Sequence, residues 1–569
     1  MGAWLQMKLW TRSGIMLLAL VIISLFLWSH IWFAPHPTQM MTCNCGDPVE
    51  QVWWFGWFPF SFSHWINPLH SQFLFAGNGG ISATNNTSWI TMALALSPVT
   101  AIWGPIASSN LSNLLAPILS GMAMWWFLRR LTRYDLVSAG GALAYAYMPF
   151  VMRNAMLSHV NLTVLAYLPL VVAWAHDLMT HRRSPRWVVT AIGLATVAQF
   201  MLGQEVFVID LFVIGAIAVV WFIRERLQKR PLHWPLDLRT AAWAIALPTV
   251  LLMYPVYLYF YGPQHLQGPF WGPTRLGLRN MVTIQAGALA KSGELSDVGY
   301  GGPQGPGVDY IGWGLFVMSL VTLPWWWRRT VALGSVTAAL IVLRLGVINS
   351  HQWATLPIIS SIVQARFVIV IYFALIVTIV CGLDAILHRY GTTALRHSLL
   401  SVALLTATVV AVFPIYNSLR VPYRVVPVSI PAWFTHEDLP SNSVVVVFPA
   451  TWSISDQVMT WQAESGYRFH LVSGFGFIPG SDHVHDEYRS ATHFLINELD
   501  KVQTGRLTMA SNPQFFISLR SRLIRFGVND VVAIDAATPP RVMSELTHAL
   551  GPATSTANGA HLWVLTGPR

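Results

Sequence analysis

Residues 43–68 read CNCGDPVEQVWWFGWFPFSFSHWINP, and the predicted fold is built outward from this stretch. It follows a first apolar segment, residues 15–33, and places two carboxylates, Asp47 and Glu50, just beyond it. The same stretch contains the aromatic residues Trp53, Trp54, Phe55, Trp57, Phe58, Phe60, Phe62 and Trp65. Aromatic rings are enriched where membrane meets water. The stretch therefore predicts a loop that lies on the outward-facing surface of the membrane and carries acid–base or metal chemistry.

The composition is that of a membrane protein. The chain has 569 residues, of which 54% are hydrophobic and only 10% are charged, whereas charged residues make up roughly a quarter of a soluble protein. The net charge of +10 comes from 34 Lys and Arg against 24 Asp and Glu. These basic residues cluster in short loops between apolar segments, as expected for cytoplasmic loops. The charge therefore does not indicate a nucleic-acid partner.

Apolar segments and basic loops together predict a multi-pass protein of the cytoplasmic membrane with its amino terminus in the cytoplasm. About eleven crossings are predicted, at residues 15–33, 111–128, 137–151, 162–178, 188–201, 206–222, 240–259, 310–326, 331–347, 367–387 and 399–415. Arg328 and Arg329 are expected in a cytoplasmic turn between two of them. The loops at about 35–109 and 262–308 are expected outside, and residues 89–103, interrupted by Pro98, are expected to form an interfacial or re-entrant segment.

The composition changes near residue 427, which divides the chain into a transmembrane domain, 1–426, and a soluble domain, 427–569. Residues 443–448 and 528–534 have the pattern of buried strands. Residues 490–499 and 540–550 have helical spacing. Alternation of strands and helices predicts a small extracytoplasmic α/β domain.

Asp47 admits two interpretations. It precedes Pro48, a favoured first-turn residue, so it could be the N-cap of a helix that begins at Pro48. Alternatively, it faces an outer cavity, where it takes a proton from an acceptor hydroxyl or binds a divalent cation. Glu50 follows by three residues and would lie on the same helical face.

Further candidates lie at the outer ends of predicted crossings. His159 and Glu205 are secondary catalytic candidates, and pairing of Glu205 with an arginine is the structural alternative. Arg366 is a candidate for binding a lipid phosphate, and its alternative is a side chain that extends to the headgroups. Arg275 and Arg279 belong to a glycine-rich outer loop that could close over a substrate. Together with Trp54, they complete the substrate-binding candidates.

The cysteines at positions 43 and 45 are expected to have a local structural role. One intervening residue is a spacing that we expect to be too tight for an unstrained disulfide. Metal binding or redox chemistry is the alternative interpretation.

Several blocks of the sequence resemble the GT-C membrane glycosyltransferases, most closely a bacterial set described as mannosyltransferase-like or YfhO-like. The blocks are GDPVEQVWWFGW (46–57), NPLHSQFLFAGNGGISATNNTSW (67–89), ALAYAYMPFVMRNAMLSHVN (142–161), LPIISSIVQARF (356–367) and MTWQAESGYRFHLVSGFGFIP (459–479). The resemblance covers most of the chain and implies a GT-C-like transmembrane fold.

The resemblance also implies a function. A sugar would pass from a polyprenyl-phosphate donor to an extracytoplasmic glycan, lipid or protein acceptor, with inversion. Asp47 would be the base, a divalent metal (Mg or Mn) could bind Asp47, and Arg366 would stabilise the departing lipid phosphate. Where related proteins have a second acidic residue in the next outer loop, this chain has His159, so a two-carboxylate metal site would need Glu50 or Glu205. The alternatives are a transporter or flippase for lipid-linked glycans and a non-enzymatic envelope-assembly protein.

Overall fold

The computed structural model describes residues 9–227, 236–266, 311, 313–342, 362–390, 421–436, 442–449, 456–479, 486–487 and 494–566. The chain forms two compact units. The first, called the helical unit, comprises Met1–Trp32, Asn113–Leu251 and Pro269–Arg424. The second, called the mixed unit, comprises Phe33–Ser112, Leu252–Gly268 and Val425–Arg569.

Helices dominate the described part of the chain. In chain order the α-helices are α1 (Leu9–Leu27), α2 (Ser29–Trp32), α3 (Gly46–Ser63), α4 (Ile90–Ala95), α5 (Ser97–Leu128), α6 (Asp135–Ala146), α7 (Pro149–Met156), α8 (Val160–Thr163), α9 (Tyr167–Met179), α10 (Pro185–Leu202), α11 (Gln204–Leu227), α12 (Leu238–Tyr261), α13 (Trp313–Val342), α14 (Val368–Tyr390), α15 (Ala432–His436), α16 (Gln457–Glu464), α17 (Phe494–Thr504), α18 (Pro513–Arg525) and α19 (Pro540–Leu550). Short 3₁₀ helices occur at Pro37–Gln39, Ala76–Asn78 and Gln364–Phe367.

Four of the described helices, α5, α10, α12 and α14, are long and apolar enough to cross a membrane. Shorter apolar stretches are Thr11–Leu27 in α1 and Gly314–Trp325 in α13. Large apolar side chains are exposed on α12, among them Ile245 and Met253, and such surfaces are stable against lipid. The chain is a membrane protein. The count of about eleven crossings and the side of each loop stay predictions.

Three predicted segments differ in detail from the structure, two of them at prolines. Residues 89–103 comprise α4, which ends at Ala95, and the first part of α5, and the break at Gly104 (φ 84°, ψ 167°) separates them from the crossing predicted at 111–128. Pro98 is the second residue of α5, where a missing N–H does not break the helix. The crossing predicted at 137–151 is two helices, α6 and α7, because Pro149 favours the extended conformation observed at Met148 (φ −61°, ψ 153°).

The third difference concerns α13, which is helical through Arg328 and Arg329, where a turn between two crossings was predicted. Arginine is a good helix former, so a basic pair can mark a loop or continue a helix. The last crossing, predicted at 399–415, lies outside the described residues.

The strands of the described residues form one larger sheet and three two-stranded pairs. They are β1 (Met40–Met41), β2 (His70–Ser71), β3 (Ile81–Ser82), β4 (Val426–Pro427), β5 (Val444–Phe448), β6 (His470–Leu471), β7 (Ile478–Pro479), β8 (Asp486–Glu487), β9 (Asp530–Ile534), β10 (Ser555–Ala557) and β11 (Ala560–Val564). The five-stranded sheet has the order β10-β11-β9-β5-β6. In it β5 runs parallel to β6 and β9, and β11 runs antiparallel to β9 and β10.

The predicted strands at 443–448 and 528–534 are confirmed as β5 and β9, and the helix predicted at 540–550 is confirmed as α19. The helix predicted at 490–499 is described from Phe494 to Thr504. Sheet and helices enclose one apolar core, to which Phe448, Val531, Phe516, Leu546 and Trp563 contribute. This core gives the carboxyl-terminal part of the mixed unit a rigid base.

The carboxyl-terminal residues pack with the first long loop. β1 pairs with β4, in register Met40 to Pro427. Both segments belong to the mixed unit. Residues from the two ends of the sequence can therefore meet around α3.

Candidate functional site

The site is built on α3, whose first turn contains Asp47. The predicted N-cap role of Asp47 is wrong, because the helix begins at Gly46 and its N-cap residue is Cys45. Cys45 has an extended backbone and its side chain makes no capping hydrogen bond. The Gly46 N–H instead donates to Asp456 Oδ2 at 2.7 Å. A carboxylate near the first turn also interacts favourably with the helix dipole.

Asp47 and Glu50 have different surroundings within one helical turn. Asp47 is half-buried, whereas Glu50 is 3% exposed. Trp54 Nε1 donates a hydrogen bond of 3.2 Å to Glu50 Oε1. Burial raises the pKa of Glu50 well above its ordinary value, and the nearby charges of Asp47 and Asp456 add to this effect. Burial therefore disfavours the charged form of Glu50, and of these two carboxyls Asp47 is the more accessible.

Asp456 is the third carboxyl of the cluster. Burial raises its pKa to about 6, the hydrogen bond from Gly46 lowers it, and Asp47 raises it. Its Oδ1 atom is buried and accepts no hydrogen bond from the residues that the structure describes. Three carboxyls thus lie close enough to influence one another at the start of α3.

A metal site does not follow from this cluster. Among the described residues, no group of three or more His, Cys, Asp or Glu side chains is arranged to hold a metal ion. Glu50 is buried and hydrogen-bonded, and one oxygen of Asp456 is used by Gly46. Metal binding by Asp47 therefore stays a prediction, and no step proposed below uses it.

Five aromatic residues of α3, namely Trp53, Trp54, Phe55, Trp57 and Phe58, are core residues rather than part of an interfacial belt, which corrects the interpretation made from composition. Trp53, Trp54 and Trp57 are at most 1% exposed. Trp53 stacks on Trp57 with ring centroids 5.5 Å apart. Trp54 was predicted to bind substrate, but its ring has no exposed face. Large exposed rings in this stretch belong to Phe62, at 51%, and Trp65, at 95%.

Residues 456–467, here called the strap, hold α3 from the carboxyl-terminal part of the mixed unit. Thr460 Oγ1 donates to Asn44 Oδ1 at 3.1 Å. Trp53 Nε1 donates to Gln462 Oε1 at 2.7 Å, and Tyr467 OH donates to the Trp53 carbonyl at 2.5 Å.

The sequence reasoning missed the strap as part of the site. Its only signal was the resemblance block at 459–479, which covers most of these residues.

The cysteines at 43 and 45 form a disulfide, so the expectation from their spacing is wrong. Their Cα atoms are 5.2 Å apart, inside the usual range for a bridge. The extended backbone at Cys45 provides this separation. In the bonded state neither cysteine has a thiol that could bind a metal.

The other predicted residues lie elsewhere. In the helical unit, Arg366 forms an ion pair with Glu205, and Glu205 Oε1 accepts the Val363 N–H at 3.0 Å. This is the structural alternative for Glu205. His159, also in the helical unit, contacts Asn154 Oδ1 through Nδ1 at 2.9 Å. Arg275 and Arg279 lie outside the described residues. The structure thus brings together Asp47 with Glu50, and Glu205 with Arg366.

Comparisons of the sequence find no matching family model and no matching curated protein. Solved structures do match. The arabinofuranosyltransferase AftD from Mycobacteria aligns with 97% of this chain at 14% identity and a TM-score of 0.54, and a mutant of AftD aligns with 97% at 13% identity and 0.52. The chain spans about two fifths of AftD, 40% and 41% in the two structures. ArnT from Cupriavidus metallidurans, bound to undecaprenyl phosphate, gives 11% identity, a TM-score of 0.46, and coverage of 97% of this chain and 99% of ArnT.

The match to AftD extends over nearly the whole chain, and the apolar helices agree with it. The chain is a membrane protein with the GT-C fold.

Proposed function

We propose that this protein is a membrane glycosyltransferase that transfers a sugar from a polyprenyl-phosphate donor to an extracytoplasmic glycan, lipid or protein acceptor. The observation that carries the proposal is the half-exposed Asp47 in the first turn of α3, beside a buried Glu50, in a chain with the GT-C fold. The sugar-transferase activity named for AftD supports the reaction class.

Asp47 is proposed as the general base. It takes the proton of the acceptor hydroxyl while that oxygen attacks the anomeric carbon. The bond between this carbon and the phosphate oxygen breaks, and polyprenyl phosphate leaves with the bonding electrons. A single displacement of this kind inverts the anomeric configuration. A positioned base contributes roughly 10²- to 10⁴-fold to such a step.

We propose that Glu50 assists Asp47 by remaining uncharged, which is the form that burial favours. A second full negative charge three residues from Asp47 would repel the charge of Asp47. Burial raises the pKa of Glu50 and favours its uncharged form, while the hydrogen bond from Trp54, which lowers that pKa, holds the side chain in place. Asp47 can then act without a charged neighbour on its own helix turn.

Arg366 is proposed to bind the donor phosphate, since arginine matches phosphate oxygens in charge and geometry. Its ion pair with Glu205 fixes the guanidinium orientation, so Glu205 is better assigned to positioning Arg366 than to proton transfer. The Cys43–Cys45 disulfide supports the outer placement of the α3 segment, because disulfides persist in oxidising compartments. Exposed Phe62 and Trp65 fit contact with membrane lipid.

The test uses the full chain in lipid nanodiscs with a panel of radiolabelled polyprenyl-phosphate sugars and envelope glycan acceptors. We expect sugar transfer, release of one polyprenyl phosphate per sugar, and an inverted anomeric centre by NMR of the product. Retained configuration would contradict the single displacement. Movement of intact lipid-linked sugar across proteoliposomes without cleavage of any donor would contradict the enzyme and support a transporter.

A further inference from the structure

The start of α3 depends on a residue from the other end of the sequence. The first N–H groups of a helix have no partner within the helix. At α3 the N-cap side chain, Cys45, does not fill this role. Asp456, 410 positions away, accepts the Gly46 N–H. Gly46, which donates this hydrogen bond, directly precedes Asp47.

The backbone at this point is also unusual. Gly46 has a φ of 51°, in the left-handed region that glycine adopts most easily. The chain thus enters α3 through a sharp change of direction. This turn leads directly into Asp47, so the hydrogen bond from Gly46 to Asp456 holds the backbone at the point where the first helical turn begins.

Asp456 is itself held firmly against α3. The rest of the strap makes the contacts of Thr460 with Asn44 and of Gln462 and Tyr467 with Trp53. Tyr467 also packs closely on Gly56, where an added Cβ would lie 2.5 Å from its hydroxyl oxygen. These contacts extend along the helix from before its first turn to its middle.

We propose that Asp456 is a positioning residue for Asp47: its carboxyl oxygen completes the amino terminus of α3 and fixes the turn that presents the base. The inference rests on the proposed function and deepens it. Asp456 acts through the Gly46 N–H, so what it must supply is an acceptor oxygen at this point. If Asp456 instead bound a metal or donated a proton, its carboxyl group itself would be required.

This difference defines the experiment. Asp456→Ala removes the acceptor, whereas Asp456→Asn keeps an acceptor oxygen and removes the carboxyl group. Asp535→Ala, at an exposed aspartate of the same unit, is the control. Each full-length variant in nanodiscs is compared with wild type by amide hydrogen exchange of residues 46–50 and by kcat and donor KM for sugar transfer.

In Asp456→Ala we expect the amides of residues 46–50 to exchange about fivefold to tenfold faster than in wild type. We also expect kcat to fall about tenfold to a hundredfold, while the KM for the donor stays within about twofold of wild type. Asp456→Asn should restore exchange and kcat to within about threefold of wild type. The KM is preserved because the helix start, not donor binding, is disturbed.

Two results would overturn the inference. One is an Asp456→Ala protein that matches the Asp535→Ala control in exchange and kcat. The other is an Asp456→Asn protein with a kcat as low as that of Asp456→Ala, which would show that the carboxyl group itself is needed. If Asp456→Ala does not fold, the kcat of Asp456→Asn alone tests the inference. If wild type transfers no sugar, the proposed function fails, and the hydrogen-exchange measurements alone test whether Asp456 fixes this turn.

Discussion

Asp47 and Glu50 show how two neighbouring carboxylates acquire different chemistry. Their spacing placed them on one helical face, and that much could be predicted from the sequence. Their burial could not, because it depends on the packing of Trp54 and on Asp456, which is remote in sequence. The same limit applies to the aromatic residues, since a membrane-interface ring and a buried ring look alike in composition.

Replacement of Glu50 separates its two candidate roles. Glu50→Gln keeps the size, the neutral form and an acceptor for Trp54, so we expect stability and turnover within about twofold of wild type. Glu50→Ala leaves the Trp54 N–H unpaired in a buried site and should lower the free energy of unfolding by about 1–3 kcal/mol. Thermal unfolding and sugar transfer are measured side by side. A hundredfold loss of turnover in Glu50→Gln with unchanged Tm would show instead that Glu50 acts as an ionised catalytic group.

At the scale of elements, α16 connects two irregular backbone sites of the mixed unit. Its amino-terminal neighbour Asp456 accepts from Gly46, and Glu464 at its carboxyl-terminal end accepts from Ile106 N–H at 3.1 Å. Ile106 follows the interruption of α5 at Gly104, where an added Cβ would lie 2.9 Å from Glu464 Oε2. A helix of eight residues therefore supports both α3 and the break in α5.

Glu464 should make stability depend on pH. Burial raises its pKa from 4.5 to about 7. Between these values the folded protein binds more protons than the unfolded chain, so the free energy of unfolding falls as pH rises through this window, by up to about 3 kcal/mol. We expect the Tm of wild type to fall between pH 5 and pH 8 and that of Glu464→Gln to fall less. An equal pH slope in Glu464→Gln and in the exposed-site control Asp535→Asn would refute this assignment.

Elements with a strong local pattern were predictable. β5 and β9 are short apolar runs between turn residues, and α19 has clear helical spacing. The errors arose where one residue type permits two outcomes. Pro98 starts a helix while Pro149 separates two, and the basic pair at 328–329 continues α13 instead of ending it.

At the scale of the whole molecule, composition was sufficient to predict a membrane protein, and the sequence blocks were sufficient to predict the GT-C fold. The joining of the first long loop and the carboxyl-terminal residues in one unit was not predicted. No periodicity links Gly46 to Asp456, because their contact depends on the folding of the intervening 409 residues. The sequence therefore predicts α3 and its carboxylates as part of the candidate site, whereas only the structure shows the strap.

Asp47→Asn tests whether Asp47 is the base of a glycosyl transfer. The variant keeps the size of the side chain and removes its basicity, while Asp535→Asn makes the same change at an exposed carboxylate of the mixed unit. We expect the rate of polyprenyl-phosphate release coupled to sugar transfer to fall about 10²- to 10⁴-fold in Asp47→Asn and to stay at the wild-type value in Asp535→Asn. Equal rates in all three proteins would contradict the account.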